Sequence, residues 1–186
     1  MFQNLLKKLA SALSKNKIPY MIIGGQAVLI YGEPRLTKDI DLTLGIGLEG
    51  LPKIRAMAES LGLRSLVSNI DRFVKETMVF PVVDEKSGIR VDFIFSYSPY
   101  ERQAIERARK ITMGRTGVKF AALEDVVIHK MIAGRPRDME DIRIVLLKNP
   151  GYDSKYIEKW LMEFDVSLRK TYLKDFKALK KKLKTD

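Results

Sequence analysis

The sequence predicts an α+β fold, a mixed or antiparallel sheet with flanking helices followed by a C-terminal helical segment. Three observations predict it. Short β-branched and aromatic runs separated by turn residues fill much of the stretch from residue 18 to residue 96. Two of them, ETMVFPVVD and IRVDFIFS, are joined only by EKSG, the pattern of a hairpin. Beyond Pro99 the apolar residues recur at helical spacing instead. The expected organisation is an α/β core over residues 1–98 and a helical portion over residues 99–186 packed on it, the two sharing one body.

Taken in order, Phe2, Leu5, Leu6, Leu9 and Leu13 fall on one face of a helix that Asn16 and Pro19 close. IPYMII has the length and β-branching of a buried strand, Gly24-Gly25 supplies a turn, and QAVLIYG reads as a short helix stopped at Gly32. TKDIDLTL alternates as a strand. Leu51 to Leu61 is a helix opened by Pro52 and closed by Gly62. Pro81 places the first hairpin strand at an edge or a bulge, because proline cannot donate to a ladder. YERQAIERARKI is read as a helix and GVKFAA as a small extended piece. LEDVVIHKMIAG, PRDMEDIRIVLLKN and SKYIEKWLMEF then form three helices before a basic tail. Met and Leu in these helices, and Trp160 with Phe164, are spaced for packing; His129 reads as an ordinary helix residue.

The chain has 186 residues, 46% of them hydrophobic, enough for one domain with a real core. It has no cysteine, which removes disulfides, thiolate metal sites and a cysteine nucleophile, and suits a reducing cytoplasm. No apolar run approaches the ~20 residues a membrane span needs, so no membrane partner is expected. The net charge is +11, unevenly placed: residues 167–186 carry eight Lys/Arg against Asp175 and Asp186, a net +6. A surface of this kind favours a polyanion, nucleic acid first, and also serves as a solvated terminal helix. With few aromatics among its charges, this tail would grip phosphates rather than stack on bases.

The chemistry is concentrated in GGQAVLIYGEPRLTKDIDL, Gly24 to Leu42. Alternation on a strand puts Asp39 and Asp41 on one face and sends Ile40 and Leu42 into the core. Asp92 sits between Val91 and Phe93 in an apolar strand, where an unpaired acid is costly and wants a metal or a basic partner. Three carboxylates on neighbouring strands can bind two divalent ions that activate an attacking oxygen and neutralise a leaving phosphate. A Gly-Gly turn into a helix lets backbone N–H groups approach a phosphate closely. Each feature alone also fits a plain strand, ion pair or tight turn.

Their order resembles the nucleotidyltransferase superfamily that includes DNA polymerase β, whose signature is an apolar residue, Gly-Gly or Gly-Ser, about a dozen residues, then Asp-h-Asp-h. Here Ile23-Gly24-Gly25 is followed, thirteen residues on, by Asp39-Ile40-Asp41-Leu42. The run from Arg35 to Leu42 and the later Glu124, Asp125, Lys130, Arg135 or Arg137, Asp138 and Asp141 are similar to the small prokaryotic branch of AbiEii-type toxin nucleotidyltransferases. The resemblance implies a nucleotidyltransferase-like fold that transfers an NMP from an NTP to an acceptor hydroxyl, with tRNA the first acceptor, a protein hydroxyl or an aminoglycoside-like small molecule the alternatives, and an antitoxin protein as partner. It implies catalytic and metal roles for Asp39, Asp41 and Asp92, with two Mg²⁺ ions (or Mn²⁺) as cofactors. Gly24, Gly25, Arg35, Thr37, Lys130 and Asp138 would hold the nucleotide, Lys130 also counting as catalytic through its contact with the phosphates and Asp138 orienting that lysine or the base. Many relatives have serine where this chain has Gly25, so here only a backbone N–H is offered.

Two rival readings use the same residues. Asp39-Ile-Asp41-Leu-Thr43 fits the opening of a DxDxT phosphatase, but GEPRLTK before it is not the apolar strand such a nucleophile must end. A catalytically degenerate RNA- or protein-binding module of the same fold is the other; retention of all three acids and Lys130 argues against it.

Overall fold

Leu5, Leu6, Leu9, Ala10 and Leu13 are buried along one side of α1 (Phe2–Lys15), the stripe that their spacing of three and four requires. The structure, a computed structural model, describes residues 2–34, 36–96 and 98–183. The chain divides into two compact units, residues 1–26 with 36–121 and residues 27–35 with 122–186.

The first unit is built on a sheet. Its strands are β1 (Tyr20–Ile23), β2 (Asp39–Leu44), β3 (Leu63–Ser65), β4 (Val79–Asp84), β5 (Ile89–Phe95), β6 (Arg109–Met113) and β7 (Thr116–Phe120). Among the described residues they lie in the order β3-β4-β5-β2-β1-β7-β6. The pairs β2–β5 and β1–β7 are parallel and the rest antiparallel, so the sheet is mixed. Ile40, Leu42 and Leu44 of β2 and Ile89, Val91, Phe93 and Phe95 of β5 face the core. The alternate positions of both strands begin half-buried or exposed, and that is the face carrying the acids. α1 packs on β7, α3 (Leu51–Ser60) on β3, α4 (Ile70–Thr77) on β4, and α5 (Pro99–Arg107) on β1 and β2.

Four readings of local structure need correction. Residues 109–111 belong to β6, not to the preceding helix: α5 ends at Arg107, and Gly114, at φ +64°, turns the chain into β7. The hairpin wins because it pairs Ile111 with the buried Val118 and extends the sheet through β7. Residues 76 and 77 close α4, a short helix capped by Asn69 that buries Val74, so β4 starts only at Val79. Gly24 and Gly25 form the first turn of α2 (Gly24–Tyr31) rather than a separate turn before it. The strand with Pro81 is also not at an edge or a bulge, since β4 lies between β3 and β5 in continuous register; Pro81 is tolerated because β3 has already ended at Ser65, and its carbonyl accepts from Leu66 N at 3.0 Å.

The second unit is helical. α6 (Leu123–Ala133) packs on α7 (Pro136–Lys148) and α8 (Ser154–Leu168), and α8 on α9 (Tyr172–Lys182). The end of α2 is held by α7, whose cap residue Asn149 donates to Tyr31 O at 2.8 Å while Lys148 reaches Gly32 O at 3.3 Å. The basic α9 is anchored rather than loose: Phe176 is fully buried, and Lys180 Nζ bonds Glu158 at 2.8 Å and Ser154 Oγ at 2.6 Å. Among the described residues no helix is long and apolar enough to cross a membrane.

Candidate active site

In the first unit the sheet register brings the predicted acids together. Asp39 and Asp41 lie on the same face of β2. Asp41 is the register partner of Asp92 on β5, and Asp39 that of Arg90. Neighbours in register point to the same side of a sheet, about 4.8 Å apart strand to strand, so three carboxylates and one guanidinium form a two-by-two block. All three acids are half-buried. Ile23, the last residue of β1, is paired with Asp41 from the other side, which sets the start of α2 beside the acids.

Gly24 shows how tight that approach is. Its φ is +64°, a conformation that side chains with a Cβ rarely adopt, and a Cβ built there would collide with Asp41 Oδ2. The first backbone N–H groups of α2 have no partner within their own helix, and the helix dipole adds positive potential there. Gly25 is half-buried in that same first turn. Thr37 is buried, and its hydroxyl accepts from Gln26 Nε2, tying the approach to β2 back to the first turn of α2. Arg35 lies outside the described residues.

Arg90 is the residue that motif reading missed. Its Nε donates to Asp92 Oδ1 at 2.8 Å, with the arginine side chain 52% and the carboxylate 15% exposed. That hydrogen bond holds the guanidinium pKa above its ordinary value against the opposing effect of burial, and the charges of Asp92, Asp39 and Asp41 add to it. The signal was the two-residue spacing to Asp92 on one strand, but only the β2–β5 register reveals that Asp39 is its other neighbour.

In the second unit Lys130 and Asp138 are likewise together. Lys130 Nζ lies 2.7 Å from Asp138 Oδ1 and 2.7 Å from Asp141 Oδ2, all three side chains buried. Arg135 closes the cluster from the surface, with Nε 2.6 Å from Asp138 Oδ2. Burial pushes the Asp138 carboxyl up, but hydrogen bonds from Arg135 and Lys130, together with their charges, outweigh it and leave it below the usual carboxylate range. Of the other motif residues, Asp125 is buried and accepts from Tyr156 Oη at 2.9 Å, and Glu124 accepts from Asp153 N at 3.0 Å. Both tie α6 to α8. His129, half-buried on α6 with its Nε2 turned inward, is held neutral by desolvation, its pKa lowered to about 4.

The donor set on the sheet suits a hard divalent cation: carboxylate oxygens alone, on one face, beside a helix start able to receive phosphate. As they stand, no three acidic, histidine or cysteine side chains among the described residues are arranged to hold an ion together. Asp92 is turned to Arg90. The residues therefore fit in kind and in face, with Asp92 Oδ1 accepting from Arg90.

The family described as nucleotidyltransferase of unknown function (DUF6036) matches residues 2–182. Among curated proteins, none matches this chain. Among solved structures, the antibiotic-resistance factor ANT(2'')-Ia is similar at 16% identity and TM-score 0.63, covering 90% of this chain and 92% of that one. A putative nucleotidyltransferase from Thermotoga maritima is similar at 16% identity and TM-score 0.53, covering 76% and 90%. A nucleotidyltransferase-like protein from Paracoccidioides brasiliensis gives 16% and 0.55, covering 89% and 87%. At these identities the structural likeness is one of fold. The family match carries the superfamily and does not select its toxin-like branch.

Proposed function

The chain belongs to this family of nucleotidyltransferases, and from that premise we propose that it transfers an NMP from an NTP to an acceptor hydroxyl, releasing pyrophosphate. The observation that carries the reading is the registered acid face, Asp39 and Asp41 on β2 with Asp92 on β5, against a glycine whose missing Cβ leaves room for Asp41. Asp39, Asp41 and Asp92 would hold Mg²⁺, up to two ions, which when bound supplies charge neutralisation at the reacting phosphate. The backbone of Gly24 and Gly25 receives a phosphate at the start of α2. Asp92 accepts the proton of the acceptor hydroxyl as it attacks the α-phosphorus in line. Lys130, oriented by Asp138 and Asp141, together with Arg35, contacts the phosphates. Catalysis of this kind is mainly positioning and electrostatics.

For the acceptor we propose RNA, tRNA first. Lys174, Lys177 and Lys181 are exposed and follow one another at spacings of three and four along α9, a stripe suited to a phosphate backbone. Lys180, bonded to Glu158, is not part of it. The test is incubation with each labelled NTP, Mg²⁺ and total RNA or cell lysate. Label in RNA is expected; label in a small molecule or a protein would replace the acceptor, and no label under any condition would favour a degenerate binding module.

A further inference from the structure

The reaction calls on three of the four side chains in the acid block, and the fourth, Arg90, has no part in it so far. It does not serve the core: it projects from the half-exposed face of β5 and is 52% exposed. What it does is occupy Asp92. Its Nε–H points at Asp92 Oδ1, two residues along the same strand. That bond aims the carboxylate along β5, whereas a shared ion would need it aimed across the sheet at its register partner Asp41. A charge-assisted bond of this kind is stronger than a neutral one, and it offsets repulsion among three carboxylates that have no other cation on their strands. A divalent ion between Asp41 and Asp92 would compete for the same carboxylate and repel the guanidinium.

We propose that Arg90 is a positioning residue that latches Asp92 in the metal-free enzyme and is displaced when Asp92 turns to the divalent ion. The inference rests on the assignment of Asp39, Asp41 and Asp92 as metal ligands. In this scheme Asp92 is withheld from the ion until the ion exchanges with an arginine already in place. No bond is made or broken other than hydrogen bonds and metal coordination.

The test is a double-mutant cycle read by Mn²⁺ binding to the full chain, with Arg90→Gln and Asp92→Asn made singly and together. Arg90 is half-exposed, so Arg90→Gln should melt within a few degrees of the parent. Removing the competing bond should tighten Mn²⁺ binding about tenfold in the Asp92 background and leave it nearly unchanged in the Asp92→Asn background. An equal gain in both backgrounds would reduce Arg90 to a distant charge and overturn the latch, as would weaker binding in Arg90→Gln. The second readout is the Arg90 Nε–H resonance: its hydrogen-bonded shift should be lost in step with Mg²⁺ occupancy. Persistence of that signal at saturating Mg²⁺ also overturns the proposal. If no form of the chain binds Mn²⁺, the metal assignment falls and the latch with it, an outcome distinct from binding that ignores Arg90.

Discussion

At the scale of single residues, Gly24 has the least freedom. Alanine there must adopt a left-handed conformation, costing about 1–2 kcal/mol, and its methyl must displace Asp41. Gly24→Ala should therefore lower the melting temperature and remove transfer activity together, by thermal unfolding and labelled-NTP assay. Asp41→Ala separates the two: activity should vanish while the melting temperature stays at or above that of the parent, because a carboxylate leaves a crowded acid face. Full activity in that variant would falsify the metal-ligand assignment. His129 predicts a pH effect on stability. Its folded pKa is about 4 against an ordinary 6.5, so below pH 6.5 the unfolded chain takes up a proton that the folded chain refuses. Stability contributed by the neutral imidazole is present above pH 6.5 and is lost as pH falls toward 4, about 3 kcal/mol in total. His129→Gln should flatten that part of the stability profile in chemical denaturation; an unchanged slope would mean another group titrates.

At the scale of elements, the α6–α7 pair turns on the Lys130 cluster. Removing a buried ion's partner is far costlier than removing the whole cluster. Lys130→Ala should cost about 3–5 kcal/mol, whereas Lys130→Met combined with Asp138→Asn and Asp141→Asn should recover most of the stability. Activity discriminates the roles: if Lys130 also contacts phosphate, the stable triple variant stays inactive, and if the cluster only staples helices, activity returns with the fold. The α8–α9 pair turns on Phe176, fully buried in an otherwise basic helix. Phe176→Ala should cost about 3–5 kcal/mol and release α9 to protease while α6 and α7 remain protected.

At the scale of the whole molecule, charge is what supports the proposed RNA partner. Three exposed lysines on α9 contacting single-stranded RNA would give a salt dependence of about −2 in log K against log salt. Changing Lys177 and Lys181 to alanine should reduce that slope by about 1.4 and weaken binding alike across RNA sequences, measured by titration at several salt concentrations. A slope that does not move would place the RNA contact elsewhere.

Much of this was legible in the chain itself, because its signals are local. The alternation DIDL settles which β2 residues are buried, the heptad-like leucines settle α1, and Gly-Gly before a D-x-D strand announces the chemistry. The places where reading by pattern failed are places where a distant partner outweighed local preference. Residues 109–111 have helical neighbours on the N-terminal side, yet pairing with β7 draws them into a strand. Arg90 looks like any exposed strand residue until the parallel pairing of β2 with β5 sets it, already two residues from Asp92, beside Asp39 as well. Lys130 looks like a surface cation until α7 folds back and buries it between two carboxylates. The sequence by itself determined the residue types, their alternation and the acid set, since those follow from side-chain periodicity along one strand or helix. Only the tertiary structure decided register, and with it which charges share a face, because strand pairing and helix docking join residues dozens of positions apart that no local preference connects.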